Sequence, residues 1–468
     1  RQNRREPILI ENIEIIDTAS KGKSVAKHEG RAIFVQGGVP GDICDIVVFK
    51  RRKKFWEARI EKIHTYSEKR TDPKCEHFGT CGGCKWQNMK YESQLNFKQN
   101  EVLNNLKRIG GIELPTHSEI IGSENKYFYR NKMEFTFSNK RWLTLEEVQS
   151  EAEIEDKDAL GFHVPGMFDK VINLNNCHLQ KEPSNAIRLS VKQFADEKGL
   201  TYFDIRNQEG LLRNLMIRTS STNDLMVLVQ FYENDIKSIN LLMEHIKTSF
   251  PEITSLLYII NQKANNTMYD QEVVCYNGED YIMEEMDGLH FKIGAKSFFQ
   301  TNSEQAKVLY RKTKELAQIT ENDLVYDLYT GTGTIAQYVA TSSKKVVGID
   351  SVEEGIKAAY ENAERNNIVN CTFYTGDMKE IFTDEFIAKN GTPDVIITDP
   401  PRDGMHKKVV EQILKIGAKR IVYVSCNSAT QARDLALMDE KYKVSHIQPV
   451  DMFPQTHHVE NIVVLELK

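Results

Sequence analysis

The segment Leu324-Val325-Tyr326-Asp327-Leu328-Tyr329-Thr330-Gly331-Thr332-Gly333-Thr334 decides how this chain is read. A short apolar run passes into a glycine-rich turn and then into a helical pattern, which predicts strand, turn and helix. Glycines at such a turn let the backbone approach a ligand closely. A second strand, Val346-Val347-Gly348-Ile349-Asp350, ends on an acid about 20 residues beyond the turn. Further acidic tips follow at Gly376-Asp377 and in Val395-Ile396-Ile397-Thr398-Asp399-Pro400-Pro401-Arg402. Strand and helix alternate from about residue 296, so a Rossmann-like parallel sheet is expected, with ligands beyond the carboxyl ends of its strands. No P-loop lysine motif is present, which argues against ATP, and Asp327-x3-Gly331-x-Gly333 departs from the G-x-G-x-x-G of NAD sites. The acidic lead residue suits a cationic ligand, S-adenosylmethionine. Asp350 is placed to accept ribose hydroxyls.

Near the C-terminus, Ile421-Val422-Tyr423-Val424-Ser425-Cys426-Asn427 repeats the strand pattern and ends on a thiol. Cysteine at a strand's carboxyl end can act as a nucleophile, although free cysteine is more often buried packing. Glu460, at the start of the apolar run Asn461–Leu467, reads by itself as a surface carboxylate.

The chain of 468 residues suggests about three domains. We place them at 1–67, a small OB-like β-barrel; 68–290, a mixed α+β domain with antiparallel pairing; and 291–468, the Rossmann-like domain. The barrel is read from the runs Ile8–Ile16, Arg31–Val35, Asp42–Phe49 and Phe55–Ile63 around Gly37-Gly38-Val39-Pro40-Gly41. Lys50-Arg51-Arg52-Lys53-Lys54, followed by Phe55 and Trp56, suits either a solvated hairpin tip or contact with single-stranded RNA. The net charge of −6 hides an asymmetry: residues 1–70 carry 16 Lys/Arg against 10 Asp/Glu, so the remainder sums to −12. A helix is predicted over 90–109 by Leu95, Val102, Leu103, Leu106 and Ile109. Glu146–Asp158 holds seven carboxylates and one lysine and reads as a mobile insertion.

Cys75-x5-Cys81-Gly-Gly-Cys84 sets three thiols within ten residues, with Cys177 far downstream. Four thiolates suit zinc or an iron–sulfur cluster, and spacing alone does not identify the fourth ligand. No run of 18 apolar residues and no apolar segment after the charged N-terminus is present. No membrane span or signal peptide is therefore expected, and the cytoplasm is the expected compartment. A monomer is expected.

Taken together, Cys75/Cys81/Cys84/Cys177, Phe298-Phe299-Gln300, Asp327–Gly333, Asp399-Pro400-Pro401-Arg402, Ser425-Cys426-Asn427 and His458-Val459-Glu460 resemble the TrmA/RumA family of RNA uracil-5-methyltransferases. The N-terminal barrel looks like the TRAM module that often precedes this enzyme. The resemblance implies a C-terminal class I methyltransferase fold and a [4Fe–4S] cluster on the four cysteines. It implies S-adenosylmethionine contacts at Gln300, Tyr329, Asp350 and Asp399. Thr334 stands where many relatives have asparagine, and Asp350 where many have glutamate; Asp377 remains a candidate from its strand tip. Cys426 would be the nucleophile and Glu460 the base. The reaction itself demands both groups, because C5 of uracil attacks a methyl sulfonium only after a thiolate has added at C6. A base must then remove the C5 proton. The expected substrate is 23S ribosomal RNA, with transfer RNA as the alternative. Amino-methyl transfer, suggested by Asp399-Pro400-Pro401, and a non-catalytic RNA-binding role are the readings from other classes.

Overall fold

The computed structural model describes residues 7–115, 117–150 and 156–468. At the N-terminus, β1 (Ile8–Thr18), β2 (Ser24–His28), β3 (Arg31–Gln36), β4 (Ile43–Arg51) and β5 (Phe55–Thr65) close into a barrel in the order β1-β2-β3-β5-β4. Its interior is the alternating set Ile13, Ile15, Ile33, Val35, Ile46 and Val48. This is the period-2 pattern of strands with one buried face. β2 was not legible in the sequence, because Ser24-Val25-Ala26-Lys27-His28 is short and weakly apolar.

Helix α1 (Tyr91–Arg108) follows, and then a seven-stranded sheet built from β6 (Lys132–Ser138), β7 (Ala159–His163), β8 (Val171–Asn173), β9 (Leu212–Thr219), β10 (Leu225–Phe231), β11 (Ser255–Ile260) and β12 (Val274–Gly278). Its order is β12-β11-β10-β9-β6-β7-β8. The expected antiparallel pairing is corrected at one place: β10 and β11 run parallel. Helix α4 (Ile236–Ser249) connects them, as parallel neighbours require a crossover. Of the Glu146–Asp158 segment, residues 151–155 lie outside the described residues. Its start is the short helix α2 (Leu145–Gln149), entered through a capping box between Thr144 and Glu147. Arg141 ties that stretch through Glu147 at 2.8 Å. Helix α3 (Ser184–Lys198) packs beside α4. A hairpin, β13 (Tyr281–Met286) and β14 (Leu289–Gly294), then contributes Ile282, Met286, Phe291 and Ile293 to one apolar cluster that also holds Leu228 of β10 and Leu309 of α5 (Ser303–Ala317). The hairpin thereby joins the central and C-terminal sheets.

The C-terminal sheet contains β15 (Leu324–Leu328), α6 (Thr334–Ala340), β16 (Lys345–Asp350), α7 (Glu353–Arg365), β17 (Cys371–Thr375), α8 (Met378–Ile381), α9 (Asp384–Asn390), β18 (Val395–Thr398), α10 (Lys407–Ile416), β19 (Arg420–Ser425), α11 (Ser428–Met438), β20 (Tyr442–Val450) and β21 (Glu460–Leu467). The strand order is β17-β16-β15-β18-β19-β21-β20, all parallel except β21. Strands buried on both faces explain the unbroken apolar runs at Val395–Ile397 and Ile421–Val424. The order reverses between β15 and β18, so the loops leaving these strands diverge and open a crevice. Helix α1 packs on α11 and β20 through Val102 and Leu106, far from its neighbours in the chain.

Gly333, the residue that admits α6, has φ +75°, and a Cβ there would lie 2.9 Å from Ala359 Cβ and 3.0 Å from the Phe373 ring. Left-handed backbone costs about 1–2 kcal/mol for a side-chain-bearing residue and overpacking about 1–3 kcal/mol more. Gly333→Ala is therefore expected to lower stability by about 2–4 kcal/mol in a denaturant titration; a loss below about 0.5 kcal/mol, the range of neutral surface changes, would contradict this packing.

Candidate active site

Three of the acidic strand tips converge on the crevice. Asp327 is buried on β15, where its Oδ2 accepts the Thr330 hydroxyl at 2.5 Å and the Ala336 amide also bears on its carboxylate. Burial, reinforced by the nearby Asp399 and Asp350 carboxylates, pushes Asp327 up to about 7 despite the Thr330 bond. Asp350 accepts the Gly331 amide on Oδ2 and the Val352 amide on Oδ1, each at 2.9 Å, and so fixes the glycine turn. Tyr329 has φ +65°, a conformation rare for aromatic residues, where the chain leaves β15. Its hydroxyl is pushed up by burial and then by Asp434, Asp377 and Asp350. Asp377 stands at the exposed rim, capping α8 through the Lys379 amide and pairing with the Lys379 ammonium at 2.9 Å. Thr334 is buried, its hydroxyl 3.2 Å from that of Thr332.

Gln300 lies on the loop before α5, where its backbone oxygen accepts the Asn131 amide at 2.8 Å. Its side chain bonds the hydroxyl of Tyr310, a buried residue that also faces Asp399, Glu460 and Asp327. Sequence reading passed over Tyr310; the signal was its place among Ala306, Leu309, Thr313 and Ala317, the inward face of α5.

The second half of the site comes from strand pairing. β19 and β21 are antiparallel with Ser425 opposite Asn461, so one step forward along β19 and one step back along β21 set Cys426 opposite Glu460. Glu460 begins the last strand as the sequence suggested, but it is buried, not a surface carboxylate. Burial, with Asp399 adding repulsion, raises it well above the usual carboxylate range; Arg402 opposes this. Asp399 is raised likewise by burial. The half-buried Cys426 thiol is pushed up to about 11 by burial, then by Glu460 and Asp399, while the Arg402 charge and a hydrogen bond from it act the other way. Arg402 is held in turn. Asn427, which also caps α11, donates to its carbonyl at 2.9 Å, and the Thr430 hydroxyl does so at 3.0 Å. Its Nη2 lies 3.1 Å from Nδ1 of His458, whose ring burial keeps neutral, down to about 3. The arrangement can host one nucleophile and one proton acceptor on the same face of a planar ring.

The four cysteines meet elsewhere, at the central sheet. Cys75, Cys81, Cys84 and Cys177 line one cavity of about 30 Å³ with Phe162 and Leu174. Burial pushes the thiols of Cys84 and Cys81 up to about 12 and 11, with smaller contributions from the neighbouring sulfurs. Gly82 permits the loop's approach, since a Cβ there would lie 3.0 Å from the His163 carbonyl oxygen. Among the described residues, no three His, Cys, Asp or Glu side chains form a group able to hold a metal ion. The thiols ring a space.

With the geometry in place, comparison with known proteins gives a consistent answer. Residues 265–468 match the tRNA (uracil-5-)methyltransferase family. An uncharacterized RNA methyltransferase of Bacteroides thetaiotaomicron is 54% identical across 96% of this chain and 100% of its own length. One from Porphyromonas gingivalis is 51% identical, covering 97% and 99%. The chain belongs to the RNA methyltransferases. A solved member, the Pyrococcus abyssi tRNA (uracil-54, C5)-methyltransferase in complex with S-adenosyl-L-homocysteine, superposes with a TM-score of 0.74 at 28% identity over 97% of this chain and 100% of that one.

In this RNA methyltransferase the basic run sits at the β4–β5 turn. Lys50 pairs with Glu57 at 2.8 Å, whereas Arg52, Lys53 and Lys54 are exposed. Trp56 is half-buried with the Arg31 guanidinium 4.6 Å from its ring centre, so one aromatic face is already covered. No helix among the described residues is long and apolar enough to cross a membrane.

Proposed function

We propose that the chain methylates C5 of a uridine in RNA, using S-adenosylmethionine and a transient bond between Cys426 and C6. The observation that carries this is the β19–β21 register that sets Cys426 against Glu460 beside Asp399 and Arg402. S-adenosylmethionine supplies an electrophilic methyl group on a sulfonium. The residues fit such a cation: Asp327 offers a buried carboxylate, and Asp399 and Asp350 add negative charge around it. Tyr329, Gln300 and Thr334 are the further contacts in this reading, with Asp377 at the rim.

Arg402 stabilises the Cys426 thiolate, which adds to C6 and moves the ring's π electrons toward C5 and O4. Once C5 carries the methyl group, Glu460 as carboxylate accepts the C5 proton. The pair of electrons left behind re-forms the C5–C6 double bond and expels the thiolate. A base inside a helix must first be unstacked, at a cost of a few kcal/mol. Asp399-Pro400-Pro401 does not favour amino-methyl transfer here, because the next residue, Arg402, is turned to the thiol. A paired thiol and carboxylate also favour an enzyme over a purely RNA-binding protein.

The same reading takes 1–67 as a TRAM-like RNA-binding barrel, 68–290 as the central domain and 291–468 as the methyltransferase domain. It places a [4Fe–4S] cluster on Cys75, Cys81, Cys84 and Cys177, four thiols that line one cavity. Iron and sulfide in anaerobically purified protein test this; stoichiometric zinc without iron rejects it. Large-subunit ribosomal RNA is the first target in this reading. Transfer RNA is the second, favoured by the Pyrococcus protein's stated substrate and the full-length match. Mapping 5-methyluridine by mass spectrometry, in RNA from cells with and without the protein, identifies atom and polymer together; unchanged 5-methyluridine at every position rejects the proposal.

Two results are expected. A cation binds the ionised Asp327, so below about pH 7 binding must expel a proton. The S-adenosylmethionine dissociation constant should therefore rise as pH falls from 7 to 5, by up to about tenfold per unit; calorimetry showing a flat profile contradicts the assignment. Replacing Arg52, Lys53 and Lys54 together by alanine should weaken RNA binding and flatten its salt dependence by roughly two to three units of slope in a log–log plot, while leaving S-adenosylmethionine affinity unchanged.

A further inference from the structure

The strap Asp451–Val459, which leads into Glu460, is tied down from several directions. Lys98 of α1 and Asp451 form a fully buried ion pair at 2.6 Å, and the same ammonium donates to the Phe453 carbonyl at 3.1 Å. The second oxygen of Asp451 accepts the Tyr91 hydroxyl at 2.8 Å. Gln94, also on α1, makes a reciprocal pair with Gln455: its Nε2 donates to the Gln455 side-chain oxygen and its Oε1 accepts the Gln455 amide, both at 3.0 Å. Gln455 is buried with φ +67°, a conformation that persists in a side-chain-bearing residue only where its surroundings hold it. Its carbonyl accepts the amides of Lys85 and Trp86 at 2.9 and 3.0 Å, the two residues directly after Cys84. Tyr129 and Asn302 fix the Pro454 and Met452 carbonyls at 2.9 and 2.8 Å. At its far end the strap presents His458 to Arg402 and delivers Glu460 opposite Cys426.

A buried ion pair adds little net stability over an apolar pair of the same volume. What Lys98, Asp451 and Gln94 add here is a single arrangement of a left-handed, buried turn. That turn lies five residues before the carboxylate whose placement the reaction needs. We infer that Gln94 and Lys98 are positioning residues for Glu460, and that the four-cysteine loop acts on proton removal through its hold on Gln455. The inference rests on the reading of Glu460 as the base.

The half-reactions separate it from a merely structural role. A misplaced base leaves thiolate addition and methyl transfer intact but slows elimination. In Gln94→Leu, turnover should fall about a hundredfold, the usual effect of an ångström-scale misplacement. A covalent complex with ordinary RNA should accumulate, and S-adenosylmethionine affinity should not change. Amide exchange over 453–458 should accelerate. Replacing Lys98 by Met together with Asp451 by Leu restores an apolar contact and should give the same pattern if Gln94→Leu does not fold. Exchange at Gln455 should also accelerate in Cys84→Ser; unchanged exchange there removes the cysteine loop from the clasp. Unaltered turnover, or lost turnover without the covalent complex, overturns the positioning role. Glu460→Gln serves as the control. If it turns over normally, the base assignment itself fails; if it stalls with a trapped complex while Gln94→Leu does not, only the clasp fails.

Discussion

Replacing Cys426 by alanine should abolish methyl transfer, by at least about 10³-fold, with S-adenosylmethionine binding unchanged. The size follows from the reaction: without a sulfur bonded to C6, C5 has no electron density to offer a methyl sulfonium. The resting thiol is held near 11 by burial and by Glu460 and Asp399, so it is almost wholly neutral at neutral pH. Arg402 is the cation facing it, and a bound sulfonium would further relieve the carboxylate repulsion. Single-turnover rate should consequently rise with pH between 6 and 9, because every unit releases more thiolate. Full activity in Cys426→Ala, measured with radiolabelled methyl donor, would remove the nucleophile from this position.

Glu460→Gln should be the complementary variant. General-base removal slows a proton transfer by about 10²–10⁴-fold, and here the stalled species is a methylated ring still bonded to Cys426. The fold should tolerate this change, because glutamine keeps the shape of Glu460 and relieves the cost that burial imposes on a charged carboxylate. Its melting temperature is expected to stay within a few degrees of the parent protein, as for small free-energy changes. Denaturing gels should show a slow-migrating protein–RNA band with unmodified RNA and methyl donor. Loss of turnover without that band would assign Glu460 to an earlier step.

Much of this site was legible because parallel strands announce themselves as apolar runs with polar tips. Asp350, Asp399 and Cys426 end such runs and Asp327 stands one residue before the end of β15, and the structure brings all four to the carboxyl ends of neighbouring parallel strands. Glu460 was less legible. It starts a strand instead of ending one, and only the antiparallel register of β21 against β19 turns that position toward the thiol. The alternation of apolar residues fixes which face of a strand is buried, but not which distant strand becomes its partner. Tyr310 escaped for a related reason: its neighbours in space, Asp399, Glu460 and Asp327, come from different segments of the chain. The parallel pair β10–β11 was missed because α4, whose Ile239, Leu242, Met243 and Ile246 form a buried stripe, was not read as a crossover. The clasp of Gln94 and Lys98 on a strap more than 350 residues away lay beyond any spacing argument.

The central claim is that Cys426 bonds to the pyrimidine during turnover. RNA carrying 5-fluorouridine at the target position tests it, since fluorine at C5 cannot be removed as a proton and elimination cannot follow. The account expects a denaturation-stable conjugate, formed in the presence of S-adenosylmethionine, whose RNA-linked peptide contains Cys426. No conjugate, while the natural RNA continues to be methylated under the same conditions, would contradict it.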